Sequence, residues 1–152
     1  MGLQLSITQH LVVLFHKNLD QLKLELEQYS TESSLWVVPE GISNCAGNLA
    51  LHLVGNLNHF IGATIARTGY KRQRDLEFTQ KHIPLAVILS SIDDTKEMIT
   101  QSLTDLSVSD LEKEYRRNPL EDYMTTEYFL LHLLSHLSYH LGQINYHRRL
   151  LI

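Results

Sequence analysis

One segment restricts the fold of this chain more than any other: Tyr128-Phe-Leu-Leu-His132-Leu-Leu-Ser-His136-Leu-Ser-Tyr-His140-Leu-Gly-Gln143-Ile-Asn-Tyr-His147. At about 100° per residue, His132, His136, His140, Gln143 and His147 fall within an arc of about 80°. The spacing predicts a strongly apolar helix with one narrow polar stripe. Thr125 or Thr126 is placed to cap it, and it runs to about Leu150.

Three earlier segments carry helical spacing. From about Ser6 to Tyr29, Leu11, Leu14, Phe15, Leu19, Leu22 and Leu26 recur with no Pro or Gly between them. Residues 30–44 hold Ser33, Ser34, Pro39 and Gly41 and read as a connection, with Ser43 or Asn44 as the N-cap of a second helix from about Cys45 to Thr68. Gly69 marks its stop. Residues 70–83 are polar and mixed in charge, a crossover loop long enough to span the fold end to end. Pro84 suits the first turn of a third helix that continues to about Leu106. Ser109 to Glu112 adds a short helical turn, and Asn118-Pro119 breaks the pattern. Four helices of about 20 residues, without strand alternation, predict an all-α four-helix bundle with a long crossover connection between helices two and three, one domain over residues 1–152.

Composition narrows the function classes. A chain of 152 residues can bury roughly 70% of its unfolded surface and needs no staple to fold. A net charge of −4 offers no footprint for nucleic acid. Met1-Gly2-Leu3-Gln4-Leu5 carries no basic n-region, and no apolar run approaches the roughly 20 residues of a membrane span. With the single cysteine, Cys45, this leads us to expect a cytoplasmic protein that binds neither nucleic acid nor membrane.

On the second helix Asn48, His52, Asn56 and His59 form a seam that matches the histidine stripe of the last helix, with Leu49, Leu51, Leu53, Val54, Leu57 and Phe60 on the flanks. Imidazoles buried without partners cost on the order of 1–3 kcal/mol each, so two such seams should share a metal, a water-filled cleft or one another. His136 and His140, four apart, can bind one ion from successive turns. Three neutral imidazoles suit zinc, nickel, iron or manganese. Spacing alone leaves a hydrogen-bonded histidine core or a solvated face equally open. His59, His132 and His147 favour structural roles, as do His10, His16 and His82.

Two motifs resemble the DinB-like superfamily: Asn48-Leu-Ala-Leu-His52-Leu-Val-Gly55-Asn56 after a loop with Trp36 and Pro39, and His136-Leu-Ser-Tyr-His140-Leu-Gly142-Gln143. Leu141 departs from it, since many relatives carry Arg there. The resemblance implies a four-helix bundle with a divalent metal (Zn, Ni, Fe or Mn) on His52, His136 and His140, and often a homodimer. It also implies a thiol-dependent S-transferase or isomerase that uses a low-molecular-weight thiol. Asn56 and Gln143 are candidates to orient an imidazole or a bound water. No residue is assigned a catalytic role.

Two other function classes fit the same residues. A metal-dependent hydrolase would need a general base, and the last helix has no carboxylate beside its histidines; Asp122 or Tyr123 could close over the site from the preceding loop. A non-catalytic metal-binding or stress-related bundle needs neither. Cys45 reads as a small buried residue, Tyr70 to Arg74 as a solvated loop, and Trp36 as cover for an open end. Gly142 inside a helix implies close packing. The apolar faces of helices one and three point to a homodimer.

Overall fold

In a computed structural model, which describes residues 4–120 and 122–151, the regular structure is helical apart from one isolated bridge between Glu114 and Thr125. Met1, Gly2 and Leu3 of the N-terminal segment lie outside the described residues. Helix α1 spans Ile7–Glu27. Its N-terminus closes by a reciprocal cap: the Ser6 side chain accepts from the Gln9 amide while the Ser6 amide donates to Gln9 Oε1 at 2.8 Å. Leu11, Phe15, Leu19, Leu22 and Leu26, spaced three or four apart, form its buried face.

Helix α2 is Ala46–Leu57, capped at Cys45 rather than at Ser43 or Asn44. Cys45 already has extended backbone angles, and its thiol turns to Asn48 Oδ1 at 2.9 Å instead of to a helix amide. A π-helical turn, Asn58–Ala63, prolongs α2, with the Thr64 amide donating to His59 O. The helical stretch therefore ends about five residues before Thr68, and the chain turns away through Arg67 and Gly69, both at positive φ.

The expected crossover loop contains a helix, α3, Arg74–Thr79. Six residues cannot hold a helix by themselves, because nucleation outweighs the few bonds gained. Tertiary contacts hold it: Asn48 Nδ2 donates to the carbonyls of Glu77 and Gln80 at 2.9 and 2.7 Å. Helix α4, Leu85–Leu103, has Pro84 at its cap instead of in its first turn. Helix α5, Val108–Glu112, is capped by Ser107, and α6, Thr126–Leu150, by Thr125.

Helix α1 packs on α4 and α6, and α2 packs on α3, α4 and α6. The core between them includes Phe15, Leu19, Leu53, Leu57, Ile92, Ile99, Leu137 and Ile144, all fully enclosed. Each such side chain contributes roughly 1.5–3 kcal/mol as an upper figure. Trp36, on a 3-10 turn at Glu32–Trp36, packs on Gly47 in the first turn of α2; a Cβ at Gly47 would come within 2.6 Å of the indole. Gly142 corrects the expectation of close packing, because nothing lies within 4 Å of a Cβ built there. Among the described residues no helix is long and apolar enough to cross a membrane.

Candidate metal centre

His52 is fixed by α2, and His136 and His140 come from successive turns of α6. Their Nε2 atoms converge: His52 to His136 is 3.3 Å and His136 to His140 is 3.0 Å. The three ligand-type atoms lie within 4.8 Å of one another.

The outward nitrogens decide which protons these rings carry. His52 Nδ1 faces the Glu77 carboxylate at 3.0 Å, and a carboxylate only accepts, so the proton sits on Nδ1. Arg72 Nη2 is 3.3 Å from the same nitrogen, but its closer bond is to Glu77 Oε1 at 2.8 Å. His140 Nδ1 donates to Gln143 Oε1 at 2.7 Å, and Gln143 Nε2 donates to the Tyr139 hydroxyl. Both rings therefore turn a bare Nε2 lone pair toward His136. His136 has one proton to offer. On Nε2 it serves only one neighbour; on Nδ1, a buried atom without a hydrogen-bond partner, it leaves three lone pairs face to face.

A further proton is no remedy. Burial, then the nearby His140 and His52, push the His136 pKa down to about 4. Burial also lowers that of His140, against the opposing hydrogen bond to Gln143. A cation satisfies what protons leave unmet. Two nitrogens bound tetrahedrally to zinc at about 2.0–2.1 Å stand roughly 3.3 Å apart, close to the His52–His136 and His136–His140 separations of 3.3 and 3.0 Å. The donor set thus fits a divalent ion with a coordination position left open.

Glu77 and Arg72 are the residues that sequence reasoning missed. Burial raises the Glu77 pKa, but hydrogen bonds from His52 and Arg72 outweigh it and leave the carboxyl below its ordinary range. Arg72 grips both oxygens, Nε to Oε2 at 2.9 Å and Nη2 to Oε1 at 2.8 Å. This planar, two-point contact fixes the carboxylate plane and through it the His52 ring. Arg72 is therefore no part of a solvated loop. The one signal in the sequence is Gly55, a turn beyond His52: a Cβ there would stand 2.0 Å from Glu77 Oε2.

Beside the triad opens a cleft of about 230 Å³, walled by Phe60, Phe129 and Leu133 and bordered by Asn56, Arg72 and His132. Asn56 Oδ1 is buried with no partner among the described residues. His132 stacks on Phe129, and half-buried His59 lies edge-on to Phe60. His147 belongs to the packing: Nε2 donates to Val37 O at 2.8 Å and Nδ1 meets the Tyr29 hydroxyl at 2.7 Å. His16 bonds Thr100 and the Lys96 carbonyl, while His10 and His82 are exposed. Cys45 is buried beside Asn48. Asp122 and Tyr123 line a different hollow with Leu120 and Tyr128, away from the histidines.

No curated protein matches this chain. A family model described as a protein of unknown function, DUF1572, matches residues 6–152. With nearly its whole length matched, the chain belongs to the DUF1572 family.

Proposed function

We propose that this protein is a DinB-like metalloprotein, a one-domain four-helix bundle with a long crossover between its second and third long helices, that holds one divalent metal on His52, His136 and His140 and carries out thiol S-transfer. The carrying observation is the set of three converging Nε2 atoms whose hydrogen bonding no distribution of protons completes. The grouping of the family with DinB/YfiT-like proteins supports the same reading.

A bound divalent ion would supply Lewis acidity, drawing down the pKa of a thiol so that it is a nucleophile at neutral pH. The chain does the rest. Glu77, clamped by Arg72, and Gln143 keep the His52 and His140 protons on Nδ1 and their lone pairs inward. The low proton affinity of His136 keeps its ring neutral at physiological pH. Phe60, Phe129 and Leu133 exclude water from one side of the cleft, and Asn56 offers a carboxamide to a bound molecule. Glu77, the carboxylate hydrogen-bonded to the triad, is occupied by Arg72 and His52, which makes it a poor general base for hydrolysis.

Elemental analysis of protein purified without immobilised nickel, beside His52→Ala, His136→Ala and His140→Ala variants, tests the site. About one metal per chain, lost in each variant with helicity retained, supports it; metal-free protein that takes up no zinc, nickel or manganese refutes it. Turnover of small thiols with electrophiles then separates a transferase from a protein that binds metal without chemistry.

A further inference from the structure

The cleft beside the triad continues the histidine seam toward the start of α6. His52, Asn56 and Phe60 follow one another at four-residue steps along α2 and the π-turn, and His136, Leu133, His132 and Phe129 face them over about 10 Å of α6. His140 does not border this space. Its aromatic walls are held from behind: Phe60 and Phe129 stand edge to face with ring centres 5.3 Å apart, Tyr115 stacks on Phe129 at 4.2 Å, and the Tyr115 hydroxyl donates to Phe60 O at 2.7 Å. At about 230 Å³ the cleft falls below the roughly 300–1,000 Å³ of sites for drug-sized molecules, so its occupant is small.

Three polar side chains in the cleft have bonding capacity that the chain does not use. Asn56 is only 7% exposed, and its Oδ1 has no partner among the described residues. A buried carboxamide left in that condition is costly unless a bound molecule meets it. Arg72 spends Nε and Nη2 on Glu77, and no bond from its Nη1 is found among the described residues. Arg74, exposed at the mouth, has no ion pair among the described residues, and its guanidinium lies over the Phe78 ring, 5.1 Å from the centroid. The chain carries a net charge of −4, yet no Asp or Glu borders the cleft. Glu77 neutralises Arg72 from behind, so the uncancelled charge is that of Arg74, which suits a monoanion better than a phosphate dianion.

We propose that this cleft binds a small, flat carboxylic acid with a hydroxyl at its far end. The carboxylate pairs with Arg74 at the mouth, and Arg72 Nη1 adds a donor from the same segment. The flat apolar body fills the corner between Phe60 and Phe129. At the buried end the hydroxyl, which both donates and accepts, meets Asn56 whichever way the carboxamide is turned. That this acid is the co-substrate at the metal rests on the function proposed above; its binding does not, since neither Arg74 nor Asn56 belongs to the histidine triad.

Isothermal titration of para-hydroxybenzoate into the full chain, as purified and after chelation, tests the site. Saturable binding of one molecule per chain is expected in both conditions. Para-hydroxybenzamide, which lacks the charge, should bind about tenfold more weakly, and benzoate, which lacks the hydroxyl, several-fold more weakly. Arg74→Gln, at an exposed position, should lower affinity for para-hydroxybenzoate about tenfold and leave zinc affinity unchanged, with part of the loss recovered in Arg74→Lys. Asn56→Ala should erase the difference between para-hydroxybenzoate and benzoate. His140→Ala, outside the cleft, should bind the acid as the wild type does even where metal is lost, so failure of the metal site and failure of the cleft read differently. No saturable binding, an amide that binds as well as the acid, an Arg74→Gln variant without effect, an Asn56→Ala variant that still prefers the hydroxy acid, or inorganic phosphate that binds more tightly than the acid would overturn the proposal. So would binding lost both on chelation and in His140→Ala, since that places the carboxylate on the ion instead.

Discussion

Replacing Gly55 with alanine isolates the role of Glu77, because the added methyl strikes the carboxylate and little else. It would stand 2.0 Å from Oε2 and 2.6 Å from Cδ, where unstrained contacts are beyond 3.0 Å. The carboxylate must retreat by about 1 Å, which stretches its 2.8–3.0 Å bonds to Arg72 and His52 past hydrogen-bonding range. Alanine in a helix interior regains about 1 kcal/mol over glycine. Charge-assisted bonds are worth about 1.5–3 kcal/mol each, so after that gain a net destabilisation of roughly 0.5–2 kcal/mol should remain if one is lost, and more if Arg72 and His52 both let go. With His52 no longer held in one tautomer, zinc affinity should fall about 10–100-fold, or about 1.4–2.7 kcal/mol. Competition against a chromophoric chelator reads the affinity, and urea unfolding reads the stability. A Gly55→Ala, Glu77→Ala double variant should be no worse than Glu77→Ala alone, since both act through one carboxylate. Wild-type zinc affinity in Gly55→Ala would refute the claim that Glu77 orients His52.

Arg72→Gln frees the Glu77 carboxylate from its clamp without removing it; zinc affinity should drop by roughly tenfold, with His136→Ala as the full-loss reference in the same titration. The His136 pKa lies at about 4, below its ordinary 6.5, so between these values the unfolded chain binds more protons than the native one. The stability linked to His136 is therefore complete above about pH 6.5 and lost as the pH falls through about 4. Urea midpoints of chelated protein should decline from pH 7 to 5, and less steeply in His136→Gln; parallel declines would contradict this. His147→Phe removes a buried hydrogen-bonded ring and should destabilise by about 1–3 kcal/mol in thermal unfolding, yet leave zinc affinity unchanged, which separates packing histidines from ligand histidines.

The sequence by itself carried the helices and the polar seams. Leu11, Phe15, Leu19, Leu22 and Leu26 declare a buried helical face because 3.6 residues per turn is a local property, and His136 and His140 share a face for the same reason. Ser6 and Thr125 mark helix starts because their side chains reach amides only three residues ahead. Local rules fail where the stabilising partner is remote in the chain. Helix α3 has no periodic signal, since six residues fold there only against Asn48, and Glu77 reaches His52 across 25 residues. The proton on each imidazole is likewise a matter of neighbours from other elements, Glu77 for His52, while Gln143 one turn on serves His140. Spacing along the stripe favoured His136 and His140 over His132 and His147 without showing what any of them meets. Packing separated them: the last turn of α6 meets Tyr29 and Val37 and takes His147 into the core, whereas only His136 and His140 lie opposite His52, where α2 and α6 come close enough for three imidazoles to meet.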